Sequence, residues 1–132
     1  MRFIETIARG VCVADGHVLL CRPKEGGYSY LPGGHIEFGE TGAAALAREV
    51  DEELGRKADV GAFLGIVESQ FVQKGEPHAE ISLVYRMEVE GAADPSARLA
   101  SQEDWIEFVW WPVARLDEAN MLPAEMKRYV GM

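Results

Sequence analysis

The chain has 132 residues, with 22 Asp and Glu against 13 Lys and Arg and a formal net charge of −9 at pH 7. That length suits one domain able to bury roughly two-thirds of its unfolded surface, and 48% hydrophobic with 27% charged residues is ordinary for a globular protein. The acidity argues against a general nucleic-acid or anionic-membrane surface, and no apolar run approaches the ~20 residues of a membrane span.

Taken in order, residues 3–14 are rich in Ile and Val and predict a strand. Asp15-Gly16 supply a two-residue turn, and residues 17–22 return as a second strand. In that hairpin Cys12 faces Leu19 and Cys21 faces Gly10, so the cysteines sit diagonally, roughly 7–8 Å apart. This is too far for an unstrained disulfide, and both are read as reduced core residues. The opening residues lack the pattern of a signal peptide, and a cytoplasmic location is the default expectation. Residues 23–27 read as loop and residues 28–31 as a short strand. After the segment considered below, residues 60–74 form a long β-prone run in which Gly65 marks a bulge. Residues 75–77 turn, and residues 78–90 form another strand. Residues 91–103 are a loop long enough to suggest function. Residues 106–111 are the last strand and 112–122 are irregular or briefly helical. Pro123 then opens a terminal helix at its first position, with Met126, Tyr129 and Val130 as the apolar face. Strands on both sides of one central helix, with a second helix at the end, give a mixed-sheet α/β protein.

The informative stretch is residues 34–56, GHIEFGETGAAALAREVDEELGR. Ala43, Leu46, Ala47, Val50 and Leu54 recur at helical spacing and mark one buried stripe. Glu49, Glu52 and Glu53 share a neighbouring arc in the last two turns before Gly55, a natural helix terminator. Three carboxylates there repel one another and face the negative end of the helix dipole. A solvated helix face is the plain alternative, but the placement points to a positive partner. Clustered carboxylate oxygens suit a hard dication, above all Mg²⁺ with Mn²⁺ as substitute. Pro32-Gly33-Gly34 permits close backbone approach, and Gly34 has a carbonyl to offer. Glu37 and Glu40 add carboxylates, while Arg48, one turn before Glu52, is suited to a bidentate carboxylate contact. The segment holds six acidic and two basic residues, supplying −4 of the net charge. An anionic substrate then needs a cation to bridge it to the protein.

Gly34, Glu40 after five residues, Arg48-Glu49-Val50 after seven, Glu52-Glu53 and Gly55 resemble the signature of the Nudix hydrolases. Eight positions agree over 23 residues; Arg56 departs from the aliphatic residue usual at the end, a local packing change expected to lie past the helix cap. The resemblance implies an α/β/α sandwich with a mixed β-sheet and a single domain over the whole chain. It also implies Mg²⁺-dependent hydrolysis of a pyrophosphate bond in a nucleoside diphosphate linked to another moiety. By that carry-over Glu49, Glu52 and Glu53 are metal ligands with Gly34 and Glu37 beside them. One of Glu52 and Glu53 polarises the attacking water, and Arg48 and Glu40 orient the set. Some relatives take a base from a later loop, where Glu103 is the first choice and Asp104 the second. A homodimer is reasonable on the same resemblance.

No competing nucleophile or phosphate-loop motif is present. Arg22, Tyr30 and Phe71 are the candidates for substrate contacts, the aromatic ones by stacking on a base, although most aromatics must serve as core. His35 and His78 read as ordinary polar residues, since Mg²⁺ prefers oxygen. Family subgroups carry a proline or tyrosine about sixteen residues after the signature; here Gln70-Phe71-Val72 stand there, so no base or sugar is named. The competing readings are a non-catalytic nucleotide-binding module, disfavoured by the retained acids, and an RNA 5′-end pyrophosphohydrolase, disfavoured by the lack of a basic stripe.

Overall fold

The computed structural model describes residues 2–92, 94–96 and 98–132. Strand β1 (Ile4–Val11) is followed by β2 (Val13–Ala14), β3 (His17–Pro23), β4 (Gly33–His35), helix α1 (Gly42–Leu54), β5 (Ala58–Gln73), β6 (Glu76–Val89) and β7 (Ile106–Pro112). Two short 3-10 segments, Val113–Ala119 and Ala124–Met126, lead into the terminal helix α2 (Lys127–Val130). The strands form a four-stranded mixed sheet, β4-β1-β6-β5, and a three-stranded antiparallel sheet, β2-β3-β7. The β1–β6 pair is parallel and the other two pairs of the larger sheet are antiparallel.

Strand alternation divides the core in two. Ala8, Leu19, Cys21, Met87, Ile106 and Phe108 point to one side, where α1 brings Ala45, Leu46, Val50 and Leu54. Val11, Val18, Leu20 and Val84 point to the other, where Met126, Tyr129 and Val130 close the opposite layer. The mixed-sheet α/β architecture expected from the sequence is thus present. No helix among the described residues is long and apolar enough to cross a membrane.

Several local expectations are corrected. The predicted first strand breaks at Cys12, because β1 is drawn between β4 and β6 while β2 joins the second sheet. Only the turn end of the predicted hairpin survives, with Val13 opposite Val18 and the Cys12 carbonyl accepting from the Leu19 amide at 2.9 Å. Cys21 therefore faces Phe108 rather than Gly10, and both thiols are free and buried. Residues 28–31 form only isolated bridges, Cys21 with Tyr30 and Ser29 with Met121. The strand lies in the glycine loop itself. Gly33 takes φ 145°, and a Cβ there would overlap the Ala8 carbonyl, so glycine alone lets β4 pair on β1. Register shifts in β5 between Val60 and Phe63 and between Phe63 and Gly65 accord with the expected bulge. Pro123 is extended (ψ 148°) and precedes the helical turn instead of occupying its first position.

Candidate functional site

Helix α1 begins at Thr41, whose hydroxyl accepts from the Ala44 amide at 3.1 Å, and ends at Gly55, left-handed with φ 64°. Its buried side comprises Gly42, Ala45, Leu46, Val50, Glu53 and Leu54. Ala43 and Ala47, expected in the stripe, are only half-buried. The buried face is rotated toward the row Ala45-Glu49-Glu53, spaced i, i+4, i+8, so two acids share a ridge with core residues. The sheet meets that ridge at Gly34, where an added Cβ would overlap the Glu49 carboxylate.

Arg48 organises the acids around this ridge. Its Nε and Nη2 donate to the two oxygens of Glu40 at 2.7 and 3.0 Å. Its Nη1 donates to Glu49 Oε1 at 3.1 Å and lies 3.3 Å from Glu52 Oε1, while Nη2 also donates to the His35 carbonyl at 3.0 Å. Glu37 stands further out, 3.9 Å from Arg48 Nη2, and its amide donates to Glu40 Oε1 at 3.0 Å. The Arg48 hydrogen bonds hold the Glu40 carboxyl below its usual range, whereas burial pushes Glu49 upward against the pull of Arg48.

Glu53 differs from its neighbours. It is 8% exposed, and its Oε2 is buried with no hydrogen-bond partner among the described residues. Burial, then the charge of Glu49, pushes its carboxyl up to about 8, with Arg9 opposing and Glu103 and Glu52 adding to the rise. Such a group is stable as an acid or beside a cation, but costly as a bare anion. The donors are all oxygens, two of them on adjacent helical turns beside a glycine backbone, and this fits a hard dication. No three His, Cys, Asp or Glu side chains among the described residues are gathered into one metal-holding group. The pair Glu49 and Glu53 carries the fit, with Glu52 exposed beside it.

The remaining candidates divide. Glu103 is half-buried on the loop before β7; its Oε2 accepts from Trp105 Nε1 at 2.7 Å. That loop is fastened to the helix end by the Gln102 amide donating to the Glu53 carbonyl at 2.7 Å. Asp104 is exposed. Tyr30 bridges to Cys21 and lies under Arg9, whose guanidinium carbon is 5.3 Å from the ring centroid. Arg22 pairs with Glu107 across β3 and β7 at 2.9 Å, so its charge is matched. Phe71 stacks on His78 with centroids 5.1 Å apart. His78 is five positions along β6 from Leu83, the residue opposite Ala8, or roughly 16 Å along the strand. His35 and His78 each hydrogen-bond one oxygen of Glu5, at 2.8 and 2.9 Å, and together they lower its pKa. Arg56 lies past the helix cap and donates to the Glu90 carbonyl at 3.2 Å. Arg9 was missed from the sequence, although a lone arginine inside an apolar strand run was its signal.

The chain is similar to known proteins. The model of the NUDIX domain matches residues 5–130. A MutT-like protein of Streptomyces ambofaciens is 30% identical over 101 residues, covering 76% of this chain and 62% of that protein. An ADP-ribose pyrophosphatase of Methanocaldococcus jannaschii is 28% identical over 122 residues, covering 89% of this chain and 70% of the relative. Among solved structures, a MutT protein from Methanosarcina mazei Go1 superposes with a TM-score of 0.74 at 24% identity, covering 98% of this chain and 92% of that one. With the family's model matching residues 5–130 of this chain and Glu49, Glu52 and Glu53 together on α1, the chain belongs to the Nudix family.

Proposed function

We propose that this chain is a Mg²⁺-dependent pyrophosphohydrolase acting on a nucleoside diphosphate linked to another group, with Mn²⁺ able to substitute. The observation that carries this reading is Glu53. Its Oε2 is buried with no hydrogen-bond partner among the described residues, one turn from half-buried Glu49, whose carboxylate abuts Gly34, and this acid pair suits a dication that bridges to an anionic substrate. Family membership and the pyrophosphatase relative from Methanocaldococcus jannaschii support the same chemistry.

In this reading Glu49 and Glu53 would hold the metal, with Glu52, the Gly34 carbonyl and Glu37 as the further oxygen donors nearest to them. The bound dication supplies charge neutralisation at phosphoryl oxygens and a more acidic water. Arg48 keeps Glu40, Glu49 and Glu52 in place by four short hydrogen-bond or ion-pair contacts and holds the glycine loop through the His35 carbonyl. Glu103 accepts the proton of the attacking water. The water oxygen bonds to one phosphorus, the bond from that phosphorus to the bridging oxygen breaks, and two phosphorylated products leave. The acceptor location of Glu103 is supported by its loop's attachment to the end of α1. The deciding experiment is a panel of nucleoside diphosphate sugars, ADP-ribose and nucleoside triphosphates, incubated with Mg²⁺ or with chelator, with products identified by mass. Metal-dependent release of phosphorylated products is expected; no turnover across the panel would refute the reading.

A further inference from the structure

Arg9, Arg22 and Arg48 differ in what their guanidinium groups already hold. Arg48 is filled by Glu40, Glu49, Glu52 and the His35 carbonyl. Arg22 is matched by Glu107. Arg9 is held yet unmatched. It stands on β1 opposite Gly33, donates Nη1 to the Leu31 carbonyl at 3.0 Å, and lies 5.3 Å over the Tyr30 ring. No carboxylate among the described residues is within ion-pair distance of it, so one of its five N–H donors has a protein acceptor.

This half-buried cation nevertheless sits among acids. It opposes the rise in the Glu49 and Glu53 carboxyls, and does the same for Glu80 on the neighbouring strand β6. Leaving most of a half-buried guanidinium's donors without partners is unfavourable. Fixing its position on an aromatic ring and a backbone carbonyl removes the rotamer entropy that a binding arginine otherwise loses on contact. Planar forked donors match phosphoryl oxygens. We infer that Arg9 binds the diphosphate of the substrate, as the protein's own cation beside the metal-holding pair Glu49 and Glu53. The inference rests on the functional reading above for the presence of a diphosphate beside these acids. It favours an anion with two adjacent phosphoryl groups over a single phosphate.

The test uses the whole chain as wild type, Arg9→Lys and Arg9→Gln, titrated calorimetrically with methylenediphosphonate, an unhydrolysable diphosphate, at fixed Mg²⁺. Arg9→Gln should weaken binding on the order of ten- to a hundredfold, as expected for loss of a charge-assisted fork, with Arg9→Lys in between. Mn²⁺ uptake without diphosphonate should be unchanged or tighter in Arg9→Gln, because a neighbouring positive charge is gone. Equal diphosphonate affinity in wild type and Arg9→Gln overturns the inference. So does an equal loss in both variants together with weakened Mn²⁺ uptake, which marks a packing role. Failure of wild type to bind methylenediphosphonate also overturns it. Wild-type binding without turnover of any diphosphate derivative sinks the hydrolase reading instead and leaves the Arg9 assignment standing.

Discussion

Replacing Glu53 by glutamine should make the metal-free protein more stable and the enzyme inactive. Glu53 is 8% exposed, and burial beside Glu49 moves its carboxyl from an ordinary 4.5 to about 8. The folded state therefore keeps a proton that the unfolded chain releases, and stability falls as pH rises between those values. At about 1.4 kcal/mol per pKa unit, Glu53 weighs against folding by about 3 kcal/mol at pH 7 and by under about 1 kcal/mol at pH 5. Glutamine has nearly the same shape and no charge at either pH. In chelator, urea denaturation followed by tryptophan fluorescence should show Glu53→Gln gaining about 2–3 kcal/mol over wild type between pH 5 and pH 7. Groups that do not sense the Glu53 charge titrate alike in both proteins and cancel from that difference. Millimolar Mg²⁺ should reverse the order by stabilising wild type selectively, through mass action on the native state. Hydrolysis by the variant should fall by orders of magnitude. A stability difference independent of pH would refute the account of Glu53 as a buried acid awaiting a cation.

Arg48→Lys keeps the charge but loses the planar fork that spans Glu40, Glu49 and Glu52. Turnover should drop at least about tenfold, with stability down by about 1–2 kcal/mol in denaturant titrations. Gly34→Ala puts a methyl into the Glu49 carboxylate; Mn²⁺ affinity measured by electron paramagnetic resonance should weaken about tenfold or more while the chain remains folded. Glu103→Gln should lower kcat on the order of a hundredfold with KM little changed, whereas Asp104→Asn should leave both intact. Steady-state kinetics on the substrate found in the panel checks both variants.

The acidic helix was legible because everything that defines it is local. Thr41 and Gly55 cap it, and the spacing of Leu46, Val50 and Leu54 sets its buried side. Even there periodicity put Ala43 and Ala47 in the stripe and left Glu53 outside it. A hydrophobicity pattern does not assign a carboxylate to a buried row, while tertiary packing does. The strand at Gly33–His35 was invisible for a related reason. Glycines read as loop, yet here their missing side chains are what allows β4 to lie against β1. Arg9 and Tyr30 meet only because β1 and the segment bridging Cys21 are neighbours in space. Phe71 was a plausible stacking residue by type, but the β5–β6 register sets it beside His78, well along the sheet from the acids. Strand register is a long-range property that no window of sequence contains.

That same long-range pairing bears on how the molecule is born. Ile4 is matched with Ala79 and His17 with Pro112, so neither sheet can close until β6 and β7 have left the ribosome. The acidic helix is synthesised well before that moment, and a 13-residue segment of this kind is marginal on its own in water. The helix is therefore held in its final place only once strands made after it have joined the sheets.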